Sequence, residues 1–141
     1  MPKHITQFPL KKQEITKTIL ANKNNLRKII KIIHPEIRKK MNIFLKKNKK
    51  SKLVILDIPL LLENRLNKKK DILIFIQSRK IEILKRLKKR QNFNLKIVNR
   101  FRKIQLPLDF KRKKSNFIIK NNFTNKLIKN QIRYILKQII K

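Results

Sequence analysis

Apolar positions along the chain alternate between a helical rhythm and short unbroken runs. Leu26, Ile29, Ile30 and Ile33 recur at i, i+3, i+4 and i+7, the spacing of one buried helical face. Pro35 suits the first turn of a helix, where its missing N–H has no intrahelical partner to lose. Ile37, Met41, Phe44 and Leu45 then keep helical spacing up to the basic stretch 46–50. Two helices meeting near His34 and Pro35 are therefore predicted. Leu53-Val54-Ile55-Leu56, Ile72 to Ile76 and Phe117-Ile118-Ile119 are continuous apolar runs of strand length, as expected of strands buried on both faces. Ser78 stands where it could cap a helix bearing Ile81, Leu84 and Leu87. Thr124 stands likewise before a final helix with Ile128, Ile132, Ile135, Leu136 and Ile139 on one face. Strands alternating with helices predict an α/β fold with a mainly parallel sheet. Such sheets take ligands at the C-terminal ends of their strands, which directs attention to Asp57-Ile58-Pro59, Gln77-Ser78 and Lys120-Asn121-Asn122.

Composition narrows the function classes. With 141 residues, 40% of them hydrophobic, the chain is of single-domain size and has material for a core. It has no cysteine, which excludes disulfides, thiolate metal sites and cysteine nucleophiles. No apolar run reaches the roughly 18 residues of a membrane span, and no signal-peptide pattern opens the sequence, so a cytoplasmic location is expected. The formal charge of +34 calls for an anionic partner and predicts nonspecific attraction to polyanions. Lys, Asn and Ile are also the residues that A/T-rich codons encode, so the charge has a compositional source too. Lysine exceeds arginine, whereas specific phosphate or base recognition favours the arginine fork. A small basic nucleic-acid-binding protein is the alternative reading, but aromatic residues are only 6% of the chain and fall mainly on predicted core faces rather than among the cations. Glycine is absent altogether. Loops that cradle phosphate need glycine for positive φ and close backbone approach, so these residues contain no such loop.

Five segments in series carry a resemblance. They are Ile33-His34-Pro35-Glu36-Ile37-Arg38, Asp57-Ile58-Pro59-Leu60-Leu61-Leu62-Glu63, Arg86-Leu87-Lys88-Lys89-Arg90, Gln105-Leu106-Pro107 and Ser115-Asn116-Phe117-Ile118-Ile119-Lys120-Asn121. Their order and spacing resemble the dephospho-CoA kinase family. The resemblance implies a P-loop, nucleoside monophosphate kinase-like three-layer fold with a mainly parallel sheet. It implies transfer of the ATP γ-phosphoryl group, with Mg2+, to the ribose 3′-hydroxyl of dephospho-CoA, the last step of coenzyme A synthesis. Residues 1–52 would form a helical CoA-substrate region and 53–141 the rest of the kinase core, with a basic lid at about 86–112. The family's first strand, Gly-rich loop and helix have no counterpart here, so an N-terminally truncated copy is expected. In such kinases the loop-bearing strand lies between those matching Leu53–Asp57 and Ile72–Ile76. Without it, those two strands should either close on each other or present unpaired edges. Two further departures are Ser115-Asn116 for the family's Ala-Asp, and Leu62 for Phe.

By the same resemblance His34, Pro35 and Arg38 belong to the CoA-substrate side, and Pro59, Leu60 and Leu61 shape the acceptor pocket. Asp57 resembles a Walker-B carboxylate that would hold Mg2+. Arg86 and Arg90 belong to the lid helix that neutralises charge on the transferred phosphoryl group, and Asn121 bounds the adenine pocket. Each has a plainer reading from the residues themselves. His34 could be a hydrogen-bonding group beside a proline, and Asp57 a strand-end cap. Arg86 and Arg90, four apart on a predicted helix and so on one face, could be part of a solvated basic surface. Asn121 could be a turn former. With His4 as the second histidine and no acids clustered near either, a metal-ligand set built on histidine is not expected. Glu63 carries no assigned role.

Overall fold

The computed structural model describes Pro9, residues 11–22 and residues 24–140; His4 lies outside them. Among the described residues six helices and two strands run in the order α1 (Lys12–Ala21), α2 (Asn25–Lys47), β1 (Ile74–Gln77), α3 (Lys80–Lys88), α4 (Leu95–Ile104), α5 (Leu108–Lys114), β2 (Phe117–Lys120) and α6 (Asn125–Ile139). The class is α/β, as the alternation of patterns predicted. The chain divides into two compact units, Met1–Ser51 with Asn94–Ile104, and Lys52–Phe93 with Gln105–Lys141. No helix among the described residues is long and apolar enough to cross a membrane.

The first unit holds α1, α2 and α4. Among its described residues Ile19 and Leu26 are the buried apolar ones, and the Asn25 side-chain amide donates to the Thr18 carbonyl at 2.8 Å, tying α2 to α1. Arg100 donates from its guanidinium to the Leu20 carbonyl at 2.9 Å. This cation at the end of α1 satisfies a carbonyl that the helix itself leaves without a donor. The predicted break at His34 and Pro35 does not occur, because α2 runs through Pro35. Leu26, Ile30, His34, Ile37, Met41 and Leu45, spaced by three or four, are all buried or half-buried. That stripe continues across the proline, and continuity of the stripe outweighs the one hydrogen bond forfeited at the Lys31 carbonyl. Pro35 itself is exposed, on the side where such a carbonyl can turn to water.

In the second unit β1 and β2 pair in parallel, with Ile74, Phe75, Ile76 and Gln77 opposite Phe117, Ile118, Ile119 and Lys120. Asn116 extends the ladder at its start. Its backbone N–H donates to the Leu73 carbonyl and its Oδ1 accepts from the Leu73 N–H, both at 2.8 Å. A carboxylate oxygen in the same place would accept that bond equally, so the Asn116 departure leaves this contact intact. The apolar side of α6 covers β2, with Ile135 and Ile119 buried. The Gln131 side chain brackets the outer edge of β2, accepting from the Lys120 N–H at 2.8 Å and donating to the Lys120 carbonyl at 3.0 Å.

Leu53 to Leu56 is not a strand. The run belongs to no ladder among the described residues, and Ile55 is 78% exposed. An extended segment becomes a strand only where a neighbour fills its N–H and C=O groups. The sheet is two-stranded, with β2 as the neighbour of β1. Leu53 to Leu56 and β1 thus do not close on each other. For the same reason the strands are not buried on both faces, and Ile74 and Ile76 stay exposed. Two caps also differ from expectation. The N-cap of α3 is Arg79 rather than Ser78, and Thr124, although at the N-cap of α6, sends its hydroxyl to Asn122 Oδ1 instead of to the helix.

Glu63 organises the loops of this unit. Its carboxylate meets Lys111 Nζ at 2.6 Å and accepts from the Leu106 N–H at 3.0 Å, with the two side chains only 10% and 18% exposed. Burial pushes the Glu63 carboxyl up, but the hydrogen bond from Lys111, those from the Glu63 and Leu106 amides and the Lys111 charge together outweigh it and hold the group below the ordinary glutamate range. A depressed carboxyl contributes stability above its unfolded pKa, about 4.3 for glutamate. That contribution is lost as pH falls through the lower folded value. Glu63→Gln should thus cost about 1–3 kcal/mol at neutral pH. It should also flatten the acid limb of a melting-temperature profile measured against pH; an unchanged acid limb would remove Glu63 as its source. Pro35→Ala restores the N–H at an exposed, wholly helical position. It should raise helicity and stability by about 1–3 kcal/mol in circular dichroism melts. A loss of helicity would instead restore the two-helix reading.

Candidate functional site

Because β1 and β2 are parallel and in register, Gln77 and Lys120 end the ladder side by side. Asn121 continues it by donating its N–H to the Gln77 carbonyl at 2.8 Å. The chain then turns sharply. Asn121 Oδ1 accepts from the Phe123 N–H at 2.8 Å, Asn122 Oδ1 accepts from the Thr124 N–H at 3.1 Å, and Phe123 is left-handed at φ 65°. The Phe123 ring lies under the Arg86 guanidinium, whose carbon is 3.8 Å from the ring centroid. The fold therefore brings Arg86 from α3 against Phe123, whose backbone Asn121 holds in the turn after β2. Arg86 remains exposed on its outer side.

Arg90 does not share that helical face. Helix α3 ends at Lys88, and Arg90 sits in the following turn with its N–H bonded to the Leu87 carbonyl at 3.1 Å. An i, i+3 bond of this kind tightens the last turn of a helix, so the four-residue spacing no longer sets a common direction.

Asp57 lies exposed just after the run that fails to pair and ahead of Pro59. Leu60 and Arg65 are both left-handed, at φ 58° and 51°, and bound a compact turn closed by the Asn64 N–H on the Leu60 carbonyl (3.1 Å) and the Leu66 N–H on the Leu61 carbonyl (3.0 Å). Leu60 and Leu61 are half-buried and Pro59 is exposed. Through the Glu63 carboxylate this turn is joined to Leu106, so the segments Asp57 to Glu63 and Gln105 to Pro107 are physically one assembly. In the first unit, the unbroken α2 sets His34 and Arg38 one turn apart, with His34 in the half-buried stripe and Arg38 exposed beside it.

Among the described residues no three of His, Cys, Asp and Glu cluster as a metal site. Asp57 accordingly offers a single exposed carboxylate. That donor set fits Mg2+ arriving with a nucleotide, since Mg2+ keeps waters and phosphate oxygens and needs only one or two protein carboxylates. A groove of about 560 Å3 lies between β2 and α6, lined by Asn116, Ile118, Asn130, Gln131, Tyr134 and Ile135. It opens beside the start of β2, the opposite end from Asn121, and so is not where a parallel sheet presents ligands.

Sequence reasoning overlooked Phe123, Gln131 and Lys111. The pair Asn121-Asn122 signals an Asx turn, which could have pointed to Phe123. Nothing local marks Gln131 or Lys111, whose partners are 11 and 48 residues away.

The family model for dephospho-CoA kinase matches residues 5–126. A dephospho-CoA kinase of Wolbachia pipientis wMel is 28% identical over 127 residues, covering 89% of this chain and 65% of its own length. One of Bacillus thuringiensis subsp. konkukian is 30% identical over 133 residues, covering 92% and 66%. One of Fusobacterium nucleatum is 32% identical over 114 residues, covering 79% and 57%. These matches lend no support to the nucleic-acid alternative. The chain spans about two-thirds of the length of the relatives it matches, or somewhat less. With a family match over most of its residues and the five motif segments in order, the chain belongs to the dephospho-CoA kinase family.

Proposed function

We propose that this chain carries the acceptor-binding and lid portions of an ATP:dephospho-CoA 3′-phosphotransferase of coenzyme A synthesis, acting in the cytoplasm. The observation that carries the reading is the contact of Arg86 with Phe123, two residues beyond Asn121 in the turn that follows β2, in a chain of this family. On this reading residues 1–52 are the CoA-substrate region, where His34, Pro35 and Arg38 face the anionic acceptor. Residues 53–141 are the kinase core, with a basic lid at about 86–112. Pro59, Leu60 and Leu61 wall the acceptor ribose, and their turn is held rigid by Glu63.

In phosphoryl transfer the protein's work is positioning and charge neutralisation, and the Arg86 and Arg90 guanidinium groups supply cations where charge spreads over the transferred group. Asp57 would anchor the Mg2+ that neutralises the β- and γ-phosphates. Asn121 would bound the base. Nothing within these residues replaces a Gly-rich loop as ligand to those phosphates, because the sequence has no glycine. The surplus of lysine adds a nonspecific, salt-dependent attraction to any polyanion.

Calorimetry of the purified chain with Mg-ATP should show weak heat that fades as salt rises, without a saturable adenine-selective site. A sub-micromolar, salt-insensitive site would overturn that expectation. Joining a strand, Gly-rich loop and helix of the kind the family resemblance implies ahead of the chain should confer dephospho-CoA-dependent ATP consumption. Asp57→Ala or Arg90→Ala should then reduce that activity about a hundredfold or more. A joined chain that folds stably and phosphorylates nothing would refute the enzymatic reading and leave family membership untouched.

A further inference from the structure

The outer edge of β2 is closed at one residue and open at another. Backbone bonds from the Phe117 N–H to the Leu73 carbonyl at 3.2 Å and from the Asn121 N–H to the Gln77 carbonyl at 2.8 Å fix which residues of β2 face β1. That facing alternates along a strand, so Ile118 and Lys120 turn their N–H and C=O groups away from β1. The Gln131 amide meets both groups of Lys120, accepting and donating as the backbone of a neighbouring strand would. Among the described residues no side chain does the same for Ile118. Ile118 lines the groove of about 560 Å3 between β2 and α6, and Tyr134, 63% exposed, lines it from the helix.

Every residue lining this groove is uncharged. The charge around it has one sign, because the walls come from residues 115–135, where Lys120, Lys126, Lys129 and Arg133 are exposed, and Asp109 is the last acidic residue of the sequence. A nucleic acid binds through cations set against its phosphates, and no cation lines the groove. An extended peptide suits it better. Its backbone can fill the Ile118 N–H and C=O, its apolar side chains can rest between Ile118 and Tyr134, and acidic residues at its ends can meet the bordering cations. We infer that the β2 edge at Ile118, walled by Tyr134, binds an acidic extended segment of a partner protein as an added strand. Gln131 ends that added strand by occupying its place beside Lys120. The groove opens at the end of β2 away from Asn121, so a bound segment leaves the C-terminal end of the sheet free. The inference is therefore independent of the enzymatic reading.

The test is fluorescence anisotropy of a labelled heptapeptide, Glu-Glu-Val-Thr-Val-Glu-Glu, titrated with the full chain at physiological ionic strength. Its comparisons separate strand pairing from attraction to the charge of +34. Methylating the three central amide nitrogens of the peptide keeps its charge but removes the donors that the Ile118 carbonyl needs, and should weaken binding about tenfold or more. Tyr134→Asp sets a like charge in the groove from an exposed helix position and should weaken binding about tenfold as well. Lys80→Gln changes the net charge equally at the start of α3, just beyond the C-terminal end of β1, and should leave binding within about twofold of the parent. Undetectable binding of the heptapeptide overturns the inference, as does a methylated peptide that binds equally or a Tyr134→Asp chain that binds as tightly as Lys80→Gln. If Tyr134→Asp lowers the melting temperature, the methylated peptide alone decides. An oligothymidylate that outcompetes the peptide and loses affinity on Tyr134→Asp would make this edge a nucleic-acid surface and overturn the inference too.

Discussion

Parallel pairing of β1 with β2 is the constraint on which the second unit depends. Strands that run the same way cannot be joined by a tight turn, so the chain between Gln77 and Phe117 must form a crossover. It does so through α3, α4 and α5, with α4 belonging to the other compact unit. The same pairing sets both strand C-termini at one end and so decides that Gln77, Ser78 and Asn121 are neighbours. Parallel sheets need cover on both faces. Here α6 supplies it for Ile119, while Ile74 and Ile76 remain exposed. The thinness of the core, with Leu66, Ile119 and Ile135 as the buried apolar residues of this unit, follows from a sheet with few partners rather than from a shortage of apolar side chains.

A chain without glycine still has to turn. Leu60, Arg65 and Phe123 take the left-handed conformation in its place, each at a cost of about 1–2 kcal/mol. All three are held by hydrogen bonds nearby: the Leu60 carbonyl accepts from Asn64, the Arg65 N–H donates to Leu62, and the Phe123 N–H is caught by Asn121. Strain of this size persists only where surrounding bonds over-determine it. Two of the three sites fall beside residues that the functional reading uses, Leu60 in the acceptor turn and Phe123 under Arg86. The glycine count therefore bears on function twice. It denies these residues a phosphate loop, and it puts a side chain where glycine would have left open space.

Polar satisfaction explains how segments distant in sequence hold together. Glu63 links the turn at 59–65 to Leu106 and Lys111, Asn116 links β2 to Leu73, and Gln131 closes the edge of β2 at Lys120. In each case a side chain meets backbone groups that would otherwise lack partners, which is the condition for irregular segments to pack against a sheet. The edge bracketed by Gln131 and the unpaired run at Leu53 to Leu56 are opposite outcomes of one requirement. The first has a side chain to close it, and the second has no ladder partner among the described residues.

What the sequence determined by itself was whatever depends on near neighbours. Most of the stripe on α2, the apolar runs at β1 and β2, the face of α6 carrying Ile135, and the exclusion of a phosphate loop follow from spacing or from a residue count, although Ile33 and Phe44, which the spacing put on the buried face of α2, are exposed. The motif segments with their order were legible too, and with them the family. Tertiary structure decided every feature whose partner lies far along the chain. Leu53 to Leu56 has the composition of a strand but pairs with nothing among the described residues, since pairing belongs to two segments. Pro35 reads as a helix start but lies inside α2, because a continuous stripe outweighs one lost bond. Arg86 and Arg90 share a spacing but not a helix, because α3 ends between them. Glu63 showed no role in sequence, and its role comes from Leu106 and Lys111, which only folding brings within reach. Local patterns are set by a rise and a period that any helix or strand must obey, whereas contacts such as that of Arg86 with Phe123 exist only once the crossover has closed.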